Sequence, residues 1–190
     1  MKSYLQIALI AVLALLPSSM LSAAPISDSL QQAVDKVVAT PDEGSALFTA
    51  LVSAIQAEVD TQGFSSVADI ADQIMRCATD ENTAALLAKA VSRAIISKAK
   101  ATPDVDVSSV AFAIGAGVSS GVSAAFKDVA VEAAADAATA VPTPSDPTLG
   151  DDVRAGASSK GEIPGIEPPL GDAGFTPAAD ISTGTGVSGD

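Results

Sequence analysis

Side chains that could carry out chemistry are scarce in this chain of 190 residues. It contains no His and a single cysteine, Cys77. His-based catalytic triads, His-ligated metals, CxxC redox pairs and disulfides within one chain are therefore excluded. The phosphate-binding pattern GxxxxGK[ST] is also missing from the sequence. We predict a protein that is not an enzyme and that holds no metal and no cofactor.

Cys77 has two competing interpretations. It follows Ile74 by three positions, at the flank of the apolar face of a predicted helix. A free cysteine is most often a small buried apolar residue. In an exported protein, an unpaired cysteine can instead form a disulfide with a second molecule. A catalytic thiol is disfavoured because no His is present to activate it.

Small residues recur every four positions within an uncharged stretch over residues 107–126. They are Ala113, Gly117, Gly121 and Ala125. On a helix this spacing forms one stripe, which lets a second helix approach closely. The stretch is long enough to cross a bilayer, but its five Ser and three Gly lower its hydrophobicity. We predict a helix-packing face or an oligomer seam, with membrane insertion as the alternative.

Two charged clusters are predicted to be solvated surfaces. Asp128, Glu132 and Asp136 recur every four residues, which places three carboxylates on one helix face. A weak divalent-cation site is the alternative for these carboxylates. Five basic residues could also bind an acidic partner or the acidic end of the chain. They are Arg76, Lys89, Arg93, Lys98 and Lys100.

The first 23 residues have the order of a secretory signal peptide. Lys2 supplies positive charge, an apolar run follows over residues 5–16, and small residues precede a predicted cut after Ala23 or Ala24. The apolar run is shorter than the roughly 20 residues of a membrane span. We predict export to a periplasm or an extracellular space, with residues 1–23 removed.

Residues 24–140 show the periodicity of helices. The expected helix starts are Ser27, Thr40, Ser66, Asp80 and a position near Ser108, and the start at Thr40 is a capping box, Thr40-Pro41-Asp42-Glu43. The fifth helix is expected to break near residues 115–121 and then to continue to Ala140. The expected core positions are Leu30, Val34, Val37, Val38, Phe48, Val52, Ile55, Val59, Val67, Ile70, Ile74, Met75, Leu87, Val91 and Ile95. The predicted fold class is all-α, a small Ala-rich bundle of about five helices.

Residues 141–190 differ in composition from the rest of the chain. They hold seven of the 11 Pro and nine of the 14 Gly, and they have no helical or alternating period. Such a segment buries too little apolar surface to offset the entropy lost on ordering. We predict a disordered, acidic C-terminal tail.

Charge and composition narrow the function. A net charge of −13 opposes binding to nucleic acid, whose phosphates attract Lys and Arg. The 38 alanines favour helix but bury little apolar area, which is a physical reason for self-association. We predict a non-enzymatic exported helical module that associates with itself or with another exported or surface component. The alternatives are a membrane-active protein that inserts residues 107–126 and a carrier of a small apolar ligand.

Overall fold

The computed structural model describes residues 24–141 and 146–159. Within these ranges the chain forms helices and one short 3-10 turn, with no strand. The α-helices are α1 (Asp28–Ala39), α2 (Ala46–Gln62), α3 (Val67–Met75), α4 (Glu81–Ala101), α5 (Val107–Gly121), α6 (Lys127–Ala140) and α7 (Thr148–Ser158), and the turn is Phe64–Ser66. The predicted all-α class is confirmed.

The described residues contain seven helices rather than about five. The expected fifth helix is two helices, α5 and α6, and α7 begins inside the predicted tail. The predicted signal peptide, residues 1–23, and the part of the predicted tail over residues 160–190 lie outside the described residues.

Helix α1 begins where the sequence predicts. The Ser27 hydroxyl oxygen accepts a hydrogen bond from the Leu30 amide, which satisfies one of the free donors of the first turn. The buried side chains of α1 are Leu30, Val34 and Val37. Of all the expected core positions, only Val38 and Val52 remain partly exposed, and the others are buried.

The predicted capping box at residues 40–43 is wrong. Thr40 is the last residue capped by α1: its amide donates to the Lys36 carbonyl, but its own backbone conformation is no longer helical. Residues after it form a turn in which the Asp42 carboxylate accepts from the Gly44 amide at 2.9 Å. Helix α2 begins only after Ser45, whose hydroxyl oxygen accepts from the Phe48 amide at 3.2 Å. Pro41 and the local Asx turn therefore delay the helix start that the sequence pattern placed at Thr40.

A capping box does form at the start of α4. The Asp80 carboxylate accepts from the Thr83 amide at 2.9 Å, and the Thr83 hydroxyl accepts from the Asp80 amide at 3.1 Å. The hydrogen bond from the Thr83 amide holds the pKa of Asp80 below its ordinary value. Ser66 precedes α3 as predicted, but its hydroxyl donates to the Gln62 carbonyl and caps nothing.

The break in the predicted fifth helix lies later than expected. Helix α5 runs unbroken through residues 115–121, and the chain leaves it at Val122 before α6 begins at Lys127. Helix α5 therefore has 15 residues rather than the 20 of the uncharged stretch. Among the described helices, none combines the length and the apolar character needed to cross a membrane.

Helix α7 corrects the predicted tail. Residues 148–158 form a helix that packs against α5 and α6. Its buried residues are Leu149, Gly150, Val153, Gly156 and Ala157. The prediction of disorder rests on the Pro and Gly content of the whole segment, but Gly150 and Gly156 are buried in this helix. Part of the predicted tail is therefore helical, over Thr148–Ser158.

Candidate functional site

The larger of the two described cavities lies where α5 ends, α6 begins and α7 ends. This α5–α6–α7 groove has a volume of about 610 Å³ and opens to solvent. Its lining residues are Ser119, Lys127, Asp128, Val131, Glu132, Arg154, Ala157, Ser158 and Ser159. Four of these side chains are charged and only two, Val131 and Ala157, are aliphatic. Such a lining suits a polar partner better than an apolar molecule.

An ion-pair network fixes one wall of the groove. Arg154 on α7 holds Glu132 on α6 through two nitrogens, with distances of 2.8 to 3.2 Å. It also pairs with Asp151 at 3.2 Å. The guanidinium lowers the pKa of the Glu132 carboxyl, and the two carboxylates raise the pKa of Arg154. This network joins α7 to α6 and holds Arg154 and Glu132 at the edge of the groove.

The groove also carries two charges that are not paired in this way. Lys127 and Asp128, at the start of α6, form no ion pair with any other described residue. Lys127 is half-buried and Asp128 is exposed. A cation and a carboxylate are therefore available side by side for groups of opposite charge on a partner. The sequence analysis placed three carboxylates on one face of this helix. Of these, Glu132 binds Arg154, and Asp128 and Asp136 are exposed.

A smaller cavity of about 330 Å³ adjoins the groove, on the side of α3. Ser119 and Ser159 line both cavities. In the smaller one, Asp72 pairs with Arg76 at 2.8 Å and accepts a hydrogen bond from the Ser120 hydroxyl at 3.0 Å. Its carboxylate is therefore already engaged within the chain.

The predicted small-residue stripe packs against a helix of the same chain. Gly117 lies on Ala68 and Ala71 of α3, and a Cβ at Gly117 would overlap the Ala68 carbonyl oxygen. A Cβ at Gly121 would likewise overlap the Asp72 carbonyl oxygen.

The two outer members of the stripe differ from each other. Ala113 is buried, whereas Ala125 is exposed in the turn between α5 and α6. The close helix contact at Gly117 and Gly121 is thus made within one molecule, and Ala125 takes no part in it.

A second close contact was missed by the sequence analysis. A Cβ at Gly115 of α5 would overlap the Val153 carbonyl oxygen, and a Cβ at Gly156 of α7 would overlap the Phe112 carbonyl oxygen. The two glycines therefore let α5 and α7 touch backbone to backbone. Ala111, Gly115 and Ser119 also repeat every four residues. This second row of small residues on the same helix is the sequence feature that predicts a second close helix contact.

Cys77 is half-buried just after the end of α3. Its thiol donates to the Gln73 carbonyl and accepts from the Gln31 side-chain amide, each at 3.7 Å. It packs beside the core. The position leaves the sulfur only partly accessible to a second molecule.

Two sequence patterns associated with serine enzymes fall on helices here. Residues 117–121 read Gly-Val-Ser-Ser-Gly, a GxSxG match, and Ser97 with Lys100 matches SxxK. Ser119 lies inside α5 rather than on a strand-to-helix turn, and its hydroxyl donates to the Ala157 carbonyl at 3.0 Å. Lys100 donates to the Val141 carbonyl at 3.1 Å. Ser119 therefore lacks the strand-to-helix turn that GxSxG chemistry uses, and the Lys100 amine is bound to a backbone carbonyl.

The predicted basic cluster is largely paired within the chain. Glu43 binds Lys89 at 2.8 Å and Arg93 at 2.7 Å, and these cations lower its pKa. Lys98 pairs with Asp60 at 2.6 Å.

The described residues contain no group of three or more His, Cys, Asp or Glu that could hold a metal ion. In comparisons with known proteins, no family model, no curated protein and no solved structure matches this chain.

Proposed function

We propose that this chain is a non-enzymatic, exported helical module that acts by association with itself or with another exported component. The observation that carries the proposal is the α5–α6–α7 groove. It is open, about 610 Å³ in volume, and it presents Lys127 and Asp128 beside the Arg154 network. A site with both signs of charge fixes the orientation of a partner that carries the complementary pair.

The net charge of the chain predicts opposite salt dependence for self-association and for binding to a different, cationic component. The full chain has a net charge of −13, and removal of residues 1–23 takes away Lys2 and no acidic residue, so each exported copy carries −14. Two such copies repel one another at long range, and salt screens this repulsion. A complex with a different, cationic component is attracted at long range instead. Self-association should therefore strengthen with added salt, whereas binding to a cationic partner should weaken.

The first test is light scattering on a sizing column, using the chain from Ala24 to Asp190 at low and high salt, with and without reductant. A discrete oligomer supports self-association, and its loss on reduction assigns Cys77 to an intermolecular disulfide. A monomer under all conditions leaves a second component as the partner. In that case the chain is crosslinked to the other exported proteins of its host, and the complex is isolated.

A charge reversal tests the groove itself. Lys127→Glu should weaken the oligomer or complex by roughly tenfold or more, because it replaces a cation that a partner carboxylate would meet. Lys36→Glu is the matched control, since Lys36 is exposed on α1 and outside the groove. Equal binding by both variants would show that the groove is not the contact surface. A chain that stays monomeric and captures no exported component would contradict the proposed function.

A further inference from the structure

The start of the described chain is held by a side chain of α3. The Gln73 Oε1 atom accepts from the Ile26 amide at 3.0 Å, and the Gln73 Nε2 atom donates to the Ala24 carbonyl at 2.9 Å. A side-chain amide offers one acceptor and two donors, so it matches a carbonyl and an amide two residues apart. We call this pair of hydrogen bonds the Gln73 clasp.

A second contact holds the next residue. Glu58 on α2 is only 5% exposed. Its carboxylate accepts from the Ser27 amide at 3.3 Å, from the Ser27 hydroxyl and from the Gln62 side-chain amide. A buried carboxylate is costly unless it is hydrogen-bonded, so removing Ser27 would leave Glu58 short of partners. Residues 24–27 are therefore an integral part of the fold.

The Gln73 clasp encloses the two peptide bonds on either side of Pro25. The Ala24 carbonyl belongs to the Ala24–Pro25 bond, and the Ile26 amide belongs to the Pro25–Ile26 bond. A chain that starts Ala-Pro is a substrate for two kinds of proline-specific exopeptidase, one removing Ala and the other removing Ala-Pro. In each hydrolysis, water adds to the carbonyl carbon, and the next residue's nitrogen leaves as the new N-terminal amine.

The clasp engages a group needed in each of these reactions. An exopeptidase must polarise the Ala24 carbonyl in the first reaction and release the Ile26 nitrogen in the second. Both groups are bound to Gln73, whereas the Ala23–Ala24 bond lies outside the pair of hydrogen bonds. The clasp thus distinguishes the two cuts that the sequence leaves open, because only a cut before Ala24 preserves both hydrogen bonds.

We propose that Gln73 is the binding site for the mature N-terminus: processing ends at Ala24, and the clasp shields Ala24-Pro25 from exopeptidase trimming. The inference about processing rests on the proposed export. The shielding can be tested separately, on a chain that already starts at Ala24.

The shielding test compares intact masses during digestion with a proline-specific aminopeptidase and with a proline-specific dipeptidyl peptidase. Gln73→Met retains the length of the side chain and removes both hydrogen bonds. We expect this variant to be trimmed about ten times faster than the unmodified chain, because cleavage follows the population of the released N-terminus. Gln31→Met is the matched control, because the half-buried Gln31 side chain binds Asp35 and Cys77 and forms no hydrogen bond with residues 24–27.

Equal trimming of Gln73→Met and the unmodified chain would overturn the shielding. Should Gln73→Met fail to fold, hydrogen exchange of the Ile26 amide in the unmodified chain decides the matter: protection supports the clasp, and free exchange overturns it. The processing test is the N-terminal mass of the protein exported from the full-length chain. A start at Ala24 supports the inference, a start at Pro25 overturns it and leaves export in place, and an uncleaved, retained chain overturns export itself.

Discussion

Helices α1 and α2 pack differently from helices α5, α6 and α7. In the first pair, the buried apolar residues are mainly large: Leu30, Val34, Val37, Phe48, Leu51, Ile55 and Val59. In α6, six of the seven buried residues are Ala, and α5 meets α3 and α7 through glycines. Large side chains fill the core of the first region, whereas the helices of the second approach closely because their contact positions are Gly or Ala.

This difference determines which substitutions each region tolerates. A core of large side chains loses stability when atoms are removed, since a cavity remains. A backbone-to-backbone contact loses stability when atoms are added, since the helices must separate. The same Ala substitution should therefore damage the two regions for opposite reasons.

The largest effect is expected from a truncation in the first region. Leu51→Ala removes a side chain that is fully buried and should lower the free energy of unfolding by about 2 to 5 kcal/mol. Urea denaturation followed by circular dichroism measures this change. Leu47→Ala is the control on the same helix, because Leu47 is only partly buried, and its loss should be smaller. Equal losses would mean that large-side-chain packing does not dominate this region.

Adding one methyl group to the second region should have the next largest effect. Gly156→Ala places a Cβ on the Phe112 carbonyl oxygen and should cost about 1 to 3 kcal/mol. Hydrogen exchange should show the loss of protection concentrated in α7. Gly44→Ala is the control, since a Cβ there would stand 3.5 Å from the nearest atom. Retained protection of α7 in Gly156→Ala would contradict the proposed close contact.

A smaller effect is expected at the start of α4, the helix that packs against both regions. Asp80→Ala breaks the capping box and should cost about 1 kcal/mol. Thr40→Ala, at the position where the sequence pattern predicted a capping box, should change stability by less than about 0.5 kcal/mol. Thermal unfolding of the two variants compares them directly, and a larger loss at Thr40 would reverse the structural assignment.

The smallest effect concerns surface charge, where the two regions should behave alike. The pKa values of Glu43 and Glu132 are both lowered, by Lys89 and by Arg154 respectively. A lowered folded-state pKa adds stability above the ordinary carboxyl pKa, and this stability is lost as the pH falls through the folded-state value. Both carboxylates are exposed enough for each to contribute at most about 1 kcal/mol.

The measurement is urea unfolding of Glu43→Gln, of Glu132→Gln and of the unmodified chain from pH 7 downward. Each variant should be slightly less stable at pH 7, and its difference from the unmodified chain should vanish in acid. Salt at about 1 M should reduce the difference at pH 7 as well. A difference that grows in acid would have the wrong sign for these ion pairs.

Sequence periodicity predicted the large-side-chain region well, because each buried Leu, Ile or Val marks a helix face. It located the helix starts at Ser27 and Asp80, where the cap is formed by local side-chain chemistry. It failed at Thr40 because the competing turn at Asp42 and the cap at Ser45 satisfy the same backbone groups. Sequence patterns of this kind do not rank alternatives that are a few residues apart.

The second region was harder to predict for a related reason. A buried glycine has no side chain to signal burial, so Gly150 and Gly156 were counted as features of disorder. The stripe through Gly117 and Gly121 did predict a close helix contact, but the pattern does not say whether the partner helix belongs to the same chain. The groove is equally beyond sequence reasoning, since it brings the end of α7 against the junction of α5 and α6, which lies much earlier in the chain.

The position of α7 at the end of the described chain gives folding an order in time. A chain that emerges with its N-terminus first, from a ribosome or from a translocation channel, releases α1 to α4 long before α7. Until Gly156 has emerged, the backbone of α5 around Gly115 lacks its cover. The early region can gain most of its burial during synthesis, whereas the groove forms last, only when nearly the whole described chain is free.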